Sequence, residues 1–134
     1  RHLGLRRMRG VSIYETPLGT LIPQLVLTFR SRGFHLSAPV YDHFDDAATL
    51  RREVRMDVRM GLIGKTAIHP KQAEIIDKAL RVSEGELSAA KLVLSARSGD
   101  AAVFKHDGAM LEIAVHNEWA HQTIERAAAA GTLQ

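Results

Sequence analysis

The sequence predicts an α/β fold in which short strands alternate with helices and lie parallel to one another. Apolar, strand-like runs and helix-like segments alternate three times between residues 10 and 80, in repeats of about 24 to 28 residues. Polar residues also follow each predicted strand, at the edge where parallel α/β folds place their ligands. Hydrophobic residues make up 46% of the 134 positions and charged residues 25%, as in a globular protein with a real core.

The first repeat combines a predicted strand over residues 10–15 with a predicted helix over residues 20–32. Gly33 favours a helix stop, since glycine readily adopts the positive φ angle found after a helix. Pro23 is tolerated in the first turn of such a helix, where its missing N–H is not needed. The strand ends in the polar residues Tyr14, Glu15 and Thr16.

The second repeat has a predicted strand over residues 34–41 and a helix that ends near Met60. Asp45 or Asp46 can cap this helix, because a carboxylate accepts hydrogen bonds from the free N–H groups of the first turn. The end of the strand offers four candidate binding residues: Ser37, Pro39, Tyr41 and Asp42. Asp42 is equally open to a purely structural role in the turn.

The third repeat has a predicted strand over residues 62–69 and a helix that opens with Pro70, a residue favoured in the first turn. Its strand end contributes three further candidates for ligand binding: Lys65, Thr66 and His69. His69 could also be a structural residue that bonds a neighbouring loop. A lysine in this position is suited to an anion or a carbonyl oxygen, and its burial would require an ionic partner.

Several classes of site are disfavoured. Gly64-Lys65-Thr66 is not a phosphate loop, because that motif needs four residues between its glycines and only two separate Gly61 from Gly64. The chain has no cysteine, so disulfides and thiolate sites are excluded. Glu118 and His121 have a spacing that metal ligands use, but no second pair accompanies them, and we predict no metal ligand within the chain.

The basic residues are spread along the chain, although its formal net charge is +3. The densest stretches, residues 6–9 and 51–55, have three positive charges each and are interpreted as solvated surface or oligomer contacts, with phosphate binding as the alternative. Because no face gathers the charge, we expect no nucleic-acid partner. No apolar run approaches the roughly 20 residues of a membrane span, and we expect no membrane partner.

The pattern changes after residue 82. Ser83 and Glu86 form a capping-box signature for a helix, and Asp107-Gly108 predicts a tight hairpin because both residues tolerate positive φ angles. A final helix follows the hairpin. We therefore predict two domains: residues 1–82 with three strand–helix units, and residues 83–134 as a helix–hairpin–helix segment that could serve as a lid.

One motif resembles a known family. Residues 61–72 read GLIGKTAIHPKQ and resemble the Gly-Lys-x-Ala-Ile-His-Pro-x-Gln signature of the citrate lyase β-subunit and 2-oxo-acid aldolase superfamily. Residues 36–46 resemble the seventh strand of that family, and residues 105–112 its lid hairpin. The likeness covers nearly the whole chain and is closest to a branch of C–C bond lyases found with tellurium-resistance and stress operons.

The resemblance implies a TIM (β/α)8 barrel, of which this chain would hold the C-terminal part, about three βα units, followed by the lid. It also implies Mg²⁺, held by a glutamate and an aspartate, that polarises a substrate carbonyl or stabilises an enolate. We expect those ligands to lie before Arg1, so that the chain alone would be inactive. We expect the enzyme to be cytoplasmic.

The resemblance assigns roles to residues as well. Glu112 matches the acidic lid residue that reaches a neighbouring subunit in thioester-using members, and would be the catalytic acid of a homo-oligomer with lid exchange. The candidate strand-end residues would bind an oxo-acid or a CoA-thioester-like substrate. Many members have aspartate where this chain has Ser37 or Ala38, and also where it has Glu112. The alternative function is a non-catalytic barrel that acts as an interaction or regulatory protein in a stress operon.

Overall fold

A computed structural model describes residues 6–96 and 103–133 and shows an α/β chain. The chain divides into two compact units, Arg1–Leu80 and Arg81–Gln134. Among the helices of the described ranges, none is long and apolar enough to cross a membrane.

The first unit alternates helices with two very short parallel strands. Ser37 pairs with Gly64 and Ala38 with Lys65, which confirms the predicted parallel arrangement. The strands are two residues long, much shorter than the predicted runs. In chain order the elements are a 3-10 turn (Ile13–Glu15), α1 (Leu18–Arg30), β1 (Ser37–Ala38), α2 (Ala47–Arg59), β2 (Gly64–Lys65) and α3 (Pro70–Leu80).

The predicted strand at residues 10–15 is wrong. The Ser12 side chain accepts a hydrogen bond from the Tyr14 N–H, and the Glu15 carboxylate accepts one from the Ser12 N–H at 2.6 Å. This reciprocal cap bends the chain into a 3-10 turn, because it satisfies backbone donors locally instead of leaving them for a neighbouring strand. The apolar residue Ile13 is buried all the same.

The helix of the first repeat begins at Leu18, earlier than predicted, so Pro23 lies inside the helix and not in its first turn. A proline there removes one N–H from the helix ladder. Burial of Ile22 and Val26 on the same face stabilises the helix against this loss. Gly33 follows the helix with a φ angle of +80°, as predicted for a helix stop.

The start of α2 confirms the predicted cap, since Asp46 Oδ1 accepts a hydrogen bond from the Thr49 N–H at 3.1 Å. The helix ends before Gly61, whose φ angle is +80°. Pro70 opens α3 as predicted. Two buried clusters form the core of the unit: Ile13, Ile22, Val26, Ala38 and Leu62, and Tyr41, Leu50, Val54 and Ile76.

The second unit confirms the capping box and the hairpin. The Glu86 N–H donates to Ser83 Oγ at 3.2 Å, and Asp107 and Gly108 turn the hairpin with φ angles of +44° and +77°. A parallel pair at residues 82–83 and 132–133 was not predicted. The elements are β3 (Val82–Ser83), α4 (Glu84–Ser95), β4 (Val103–His106), β5 (Ala109–Glu112), α5 (Ile113–Ala130) and β6 (Thr132–Leu133).

Candidate functional site

The two parallel strands present opposite faces to different surroundings. Successive side chains of a strand point to opposite faces, and here Ala38 and Lys65 are buried while Ser37 and Thr66 are exposed. The Ser37 hydroxyl donates to the carbonyl oxygen of Gly64 at 3.3 Å, which ties the two strands together. The exposed face therefore offers hydroxyl groups near the carboxyl edge of the strand pair.

Lys65 points away from that face, into a buried cluster of charges. Its Nζ donates to Glu53 Oε1 at 2.7 Å and to Asp57 Oδ2 at 3.0 Å. The side chain of Lys65 has no exposed surface, and those of the two acids have almost none. Glu53 and Asp57 lie four residues apart on α2, so they share the helix face that packs against the strands.

The other oxygens of the two carboxylates are also satisfied. Glu53 Oε2 accepts hydrogen bonds from the Ile13 N–H at 2.8 Å, from the Ser12 hydroxyl at 3.1 Å and from the Arg7 guanidinium. Asp57 Oδ1 accepts a hydrogen bond from the Tyr14 hydroxyl at 2.5 Å. Two cations, Arg7 and Lys65, thus face two anions, and this balance of charge is what makes their burial tolerable.

The pKa values of the cluster follow from burial and from the number of hydrogen-bond donors. Burial alone would raise the pKa of Glu53, but hydrogen bonds from Lys65 and from the Ile13 N–H bring it below its usual value. Burial outweighs the attraction of Lys65 at Asp57 and raises the pKa of that carboxyl. Burial, and then the hydrogen bond to Asp57, also raise the pKa of the Tyr14 hydroxyl. The carboxylate with more donors is the one that holds its charge more firmly.

Tyr41 is packed and bonded on all sides instead of lining an open cleft. Its ring is buried, its hydroxyl donates to Asp46 Oδ2 at 2.7 Å, and its carbonyl oxygen accepts from Gln72 Nε2 at 2.7 Å. The Arg7 guanidinium lies 4.8 Å from the ring centroid, a cation–π contact. Pro39 is partly buried and Asp42 is exposed on either side of it.

His69 directly precedes α3, and one of its ring nitrogens is already hydrogen-bonded. Its Nδ1 accepts a hydrogen bond from the Lys71 N–H at 3.2 Å, so the ring of this contact carries its proton on Nε2. The ring is stacked on Phe44, with the centroids 4.5 Å apart and the planes inclined by 21°. The hydrogen bond and the ring stack together hold the imidazole in place, and they leave Nε2 as the ring's donor.

Glu112 belongs to the second unit, where β5 meets α5. Its carboxylate is exposed and has no partner among the residues the structure describes. Its backbone N and O lie 3.1 and 2.9 Å from His116 Nδ1, and the His116 ring packs edge-on against Trp119. The backbone of Glu112 is thus anchored while its carboxyl remains available for a proton or a ligand.

Of the predicted site residues, Ser37, Thr66 and Glu112 are exposed and His69 is partly buried. The residues that surround Lys65 were not predicted. Glu53 and Asp57 follow the spacing of the buried residues Leu50 and Val54, so they fall on the apolar face of α2. A buried acid on such a face needs a cationic partner, so the positions of Glu53 and Asp57 in the sequence indicated a buried cation. Phe44 and His116 also went unrecognised, since ring stacking and backbone contacts depend on tertiary packing.

The described residues do not fit the Mg²⁺ that the resemblance implies. Within ranges 6–96 and 103–133, no three His, Asp or Glu side chains lie together as a metal site. Glu53 and Asp57 are the closest approach to a carboxylate pair, but Lys65 and the other donors already use their oxygens. Mg²⁺ prefers oxygen ligands in an octahedral arrangement, and the described residues offer no such set.

Comparison with known proteins gives a consistent family. One similar solved structure is CitE from Mycobacterium tuberculosis in complex with magnesium, acetoacetate and coenzyme A, with a TM-score of 0.68 and 26% sequence identity. The match covers 92% of this chain and 45% of the CitE chain. A (3S)-malyl-CoA thioesterase of Cereibacter sphaeroides is 33% identical over 120 residues, 86% of this chain and 40% of its own length. An L-malyl-CoA/beta-methylmalyl-CoA lyase from the same species is 31% identical over 85 residues, 63% of this chain and 26% of its own.

The chain spans less than half the length of these relatives. A family model described as C-C bond lyase of the TIM-barrel fold matches residues 1–132, almost the entire sequence. This agrees with the resemblance seen in the signature at residues 61–72. The chain belongs to the C–C bond lyase family of the TIM-barrel fold.

Proposed function

We propose that this chain supplies the C-terminal βα units and the lid of a barrel lyase that makes or breaks a carbon–carbon bond in a CoA thioester or a related oxo-acid. Family membership supports the reaction class. Two relatives are a malyl-CoA thioesterase and a malyl-CoA lyase, and the structure of a third contains coenzyme A and acetoacetate. The observation that carries the proposal is the carboxyl edge of β1 and β2, with donors exposed on one face and charges sealed on the other.

Within this proposal the exposed donors bind the oxygens of the substrate. The hydroxyls of Ser37 and Thr66 and the fixed Nε2–H of His69 are suited to a carboxylate or carbonyl oxygen, which accept hydrogen bonds. Pro39 and Asp42 border the neighbouring edge, and the buried Tyr41 supports it from within. The assignment of Ser37 and Thr66 rests on their exposure, and that of His69 on its hydrogen bond and ring stack.

Lys65 takes part indirectly in the proposed site. Its ammonium group is enclosed between Glu53 and Asp57, so it has no surface from which to contact a ligand. We propose that this cluster holds the end of β2, and with it Thr66 and the approach to His69, in one orientation. A rigid support of this kind keeps binding groups within the small tolerance that catalysis requires.

Glu112 is the proposed acid–base residue of the lid. Its exposed carboxyl and anchored backbone support this role, because a proton-transfer group needs access to the substrate and a defined position. We further propose that the lid acts across a homo-oligomer and that Mg²⁺ is held by residues outside this chain. The presence of magnesium in the CitE structure supports the second point.

The function is tested with the full-length protein, malyl-CoA and Mg²⁺. Cleavage of the carbon–carbon bond would yield acetyl-CoA and glyoxylate without releasing a thiol, whereas hydrolysis of the thioester would release free CoA. We expect glyoxylate to form without an equivalent rise in free thiol. Free thiol without glyoxylate would assign a thioesterase, and no turnover of any acyl-CoA or oxo-acid tried would favour a non-catalytic scaffold.

The role of Glu112 is tested in the same assay. Glu112→Gln removes the ionisable carboxyl but keeps its size, so kcat should fall by about 10²-fold, the scale of general acid–base catalysis. Mg²⁺ affinity, measured by calorimetry, should not change. Glu125→Gln, an exposed carboxyl on α5, is the matched control and should keep full activity. An unchanged kcat in Glu112→Gln would show that Glu112 is not the acid–base residue.

A further inference from the structure

Helix α2 turns its acidic side chains inward and its arginines outward. Glu53 and Asp57 are buried, whereas Arg51, Arg55 and Arg59 are exposed. In the part of the chain that the structure describes, these three arginines make no hydrogen bond or ion pair. The acids that would normally neutralise such a helix are committed to Lys65 on its other face.

The three arginines, here called the arginine stripe, follow one line along the helix. They are spaced four residues apart, and four residues rise about 6 Å along a helix, so the stripe extends for about 12 Å. Like charges at this spacing repel one another and weaken the helix. An anion that lies along the stripe would relieve this repulsion.

Beside the stripe the surface is concave. A groove of about 450 Å³ is lined by Ala48, Arg51, Arg52, Arg55, Met56 and Arg59, with no acidic residue among them. Arg52 is held at the edge of the groove, since its guanidinium donates to Glu15 Oε2 at 2.9 Å and to the Gly10 carbonyl at 3.1 Å.

We propose that this groove binds a small oligophosphate anion. Each guanidinium presents parallel N–H donors that match two phosphate oxygens, and it stays charged at any physiological pH. Two arginines about 6 Å apart can hold neighbouring phosphate groups of one ligand. Ala48 and Met56 supply an apolar wall between the charges. The groove is formed by the outer face of α2, so this binding is separate from the proposed lyase function.

Thermal unfolding and calorimetry of the 134-residue chain test the proposal, with tripolyphosphate as the probe. A ligand that binds only the folded state raises the melting temperature, so millimolar tripolyphosphate should raise it at low ionic strength and less at high salt. In the variant Arg51→Gln/Arg55→Gln/Arg59→Gln, the dissociation constant should increase by at least about tenfold. The variant Arg51→Lys/Arg55→Lys/Arg59→Lys keeps the charge but loses the forked donors, and intermediate affinity is expected.

A control with the same loss of charge separates a site from general attraction. Arg6→Gln/Arg32→Gln/Lys91→Gln removes three exposed positive charges elsewhere and should bind tripolyphosphate as the wild type does. ADP in place of tripolyphosphate distinguishes a nucleotide from a free oligophosphate as the source of the phosphates. No binding by the wild type, or equal loss in both triple variants, would overturn the proposal. So would a single-stranded oligonucleotide that binds through the arginine stripe more tightly than either small anion.

Discussion

The two units of the chain bury different kinds of side chain. The first encloses Lys65 with Glu53 and Asp57, and the fully buried Gln72 lies in the same unit. The second closes over alanine and aliphatic side chains, with Thr123 as the buried polar residue among those described. The first unit therefore adds buried, directional bonds between charges to its two apolar clusters, whereas the second relies on close packing of small apolar groups.

The two kinds of core have different consequences for a binding site. Burying charges costs desolvation free energy that their mutual attraction only partly returns, so the cluster around Lys65 contributes orientation more than stability. It ties α2 to β2 and to the Ser12–Tyr14 segment in one arrangement. The alanines Ala89, Ala90 and Ala120 instead allow close approach of neighbouring helices without specifying direction.

The largest expected effect comes from removing the cation of the first unit. Lys65→Met leaves Glu53 and Asp57 buried without their shared partner, and should lower the free energy of unfolding by about 3–5 kcal/mol. Urea denaturation followed by circular dichroism measures this change. Lys71→Met, an exposed lysine at the start of α3, should change the free energy by less than about 0.5 kcal/mol. Equal losses of stability in Lys65→Met and Lys71→Met would mean that Glu53 and Asp57 do not depend on Lys65 for their burial.

A smaller effect is expected from the packed core of the second unit. Leu111→Ala removes the largest aliphatic side chain of its buried cluster and should cost about 2–3 kcal/mol through lost burial and the cavity left behind. Met110→Ala on the same strand is the control, because Met110 is 64% exposed and should matter little. A loss below about 1 kcal/mol in Leu111→Ala would show that this core relaxes around cavities.

The smallest effect concerns pH and the cap of α2. Burial alone would raise the pKa of Asp46, but hydrogen bonds from Tyr41 and Thr49 outweigh it and hold the pKa well below 3.8. A carboxyl whose folded pKa is lowered stabilises the fold above its unfolded value, and this contribution is lost as the pH falls. Asp46→Asn should therefore cost about 1 kcal/mol near pH 7.

The same variant should lose stability less steeply than the wild type below about pH 4, since it has no carboxylate to protonate. Urea midpoints at neutral and acidic pH give this comparison, with Asp42→Asn, an exposed acid nearby, as the control. Parallel stability profiles for wild type and Asp46→Asn would contradict the assignment of the cap.

Local signals were enough to predict much of the fold. Asp46, Pro70, the Ser83–Glu86 pair and Asp107-Gly108 each act on residues within a turn of themselves, and each acts as predicted. The same capping signature is present at Ser12-x-x-Glu15, but the apolar residues between suggested a strand. The cap prevailed because it pairs backbone donors within four residues, without any partner strand.

The candidate site was less predictable because its geometry is tertiary. Lys65 was assigned to a strand end, but its direction depends on which face of β2 packs against α2. Neither that packing nor the stack of Phe44 on His69 follows from spacing along the chain. Glu53 and Asp57 on an apolar helix face were the one local indication of a buried cation.

The most direct test of the central claim is a double-mutant cycle between Lys65→Met and the pair Glu53→Gln/Asp57→Asn. If the three groups form one charge cluster, removing the acids should restore part of the stability lost with the lysine. We predict a coupling free energy above about 2 kcal/mol, measured by urea denaturation at neutral pH. If the stability losses of Lys65→Met and of Glu53→Gln/Asp57→Asn instead add to within about 0.5 kcal/mol, the three groups do not form one charge cluster.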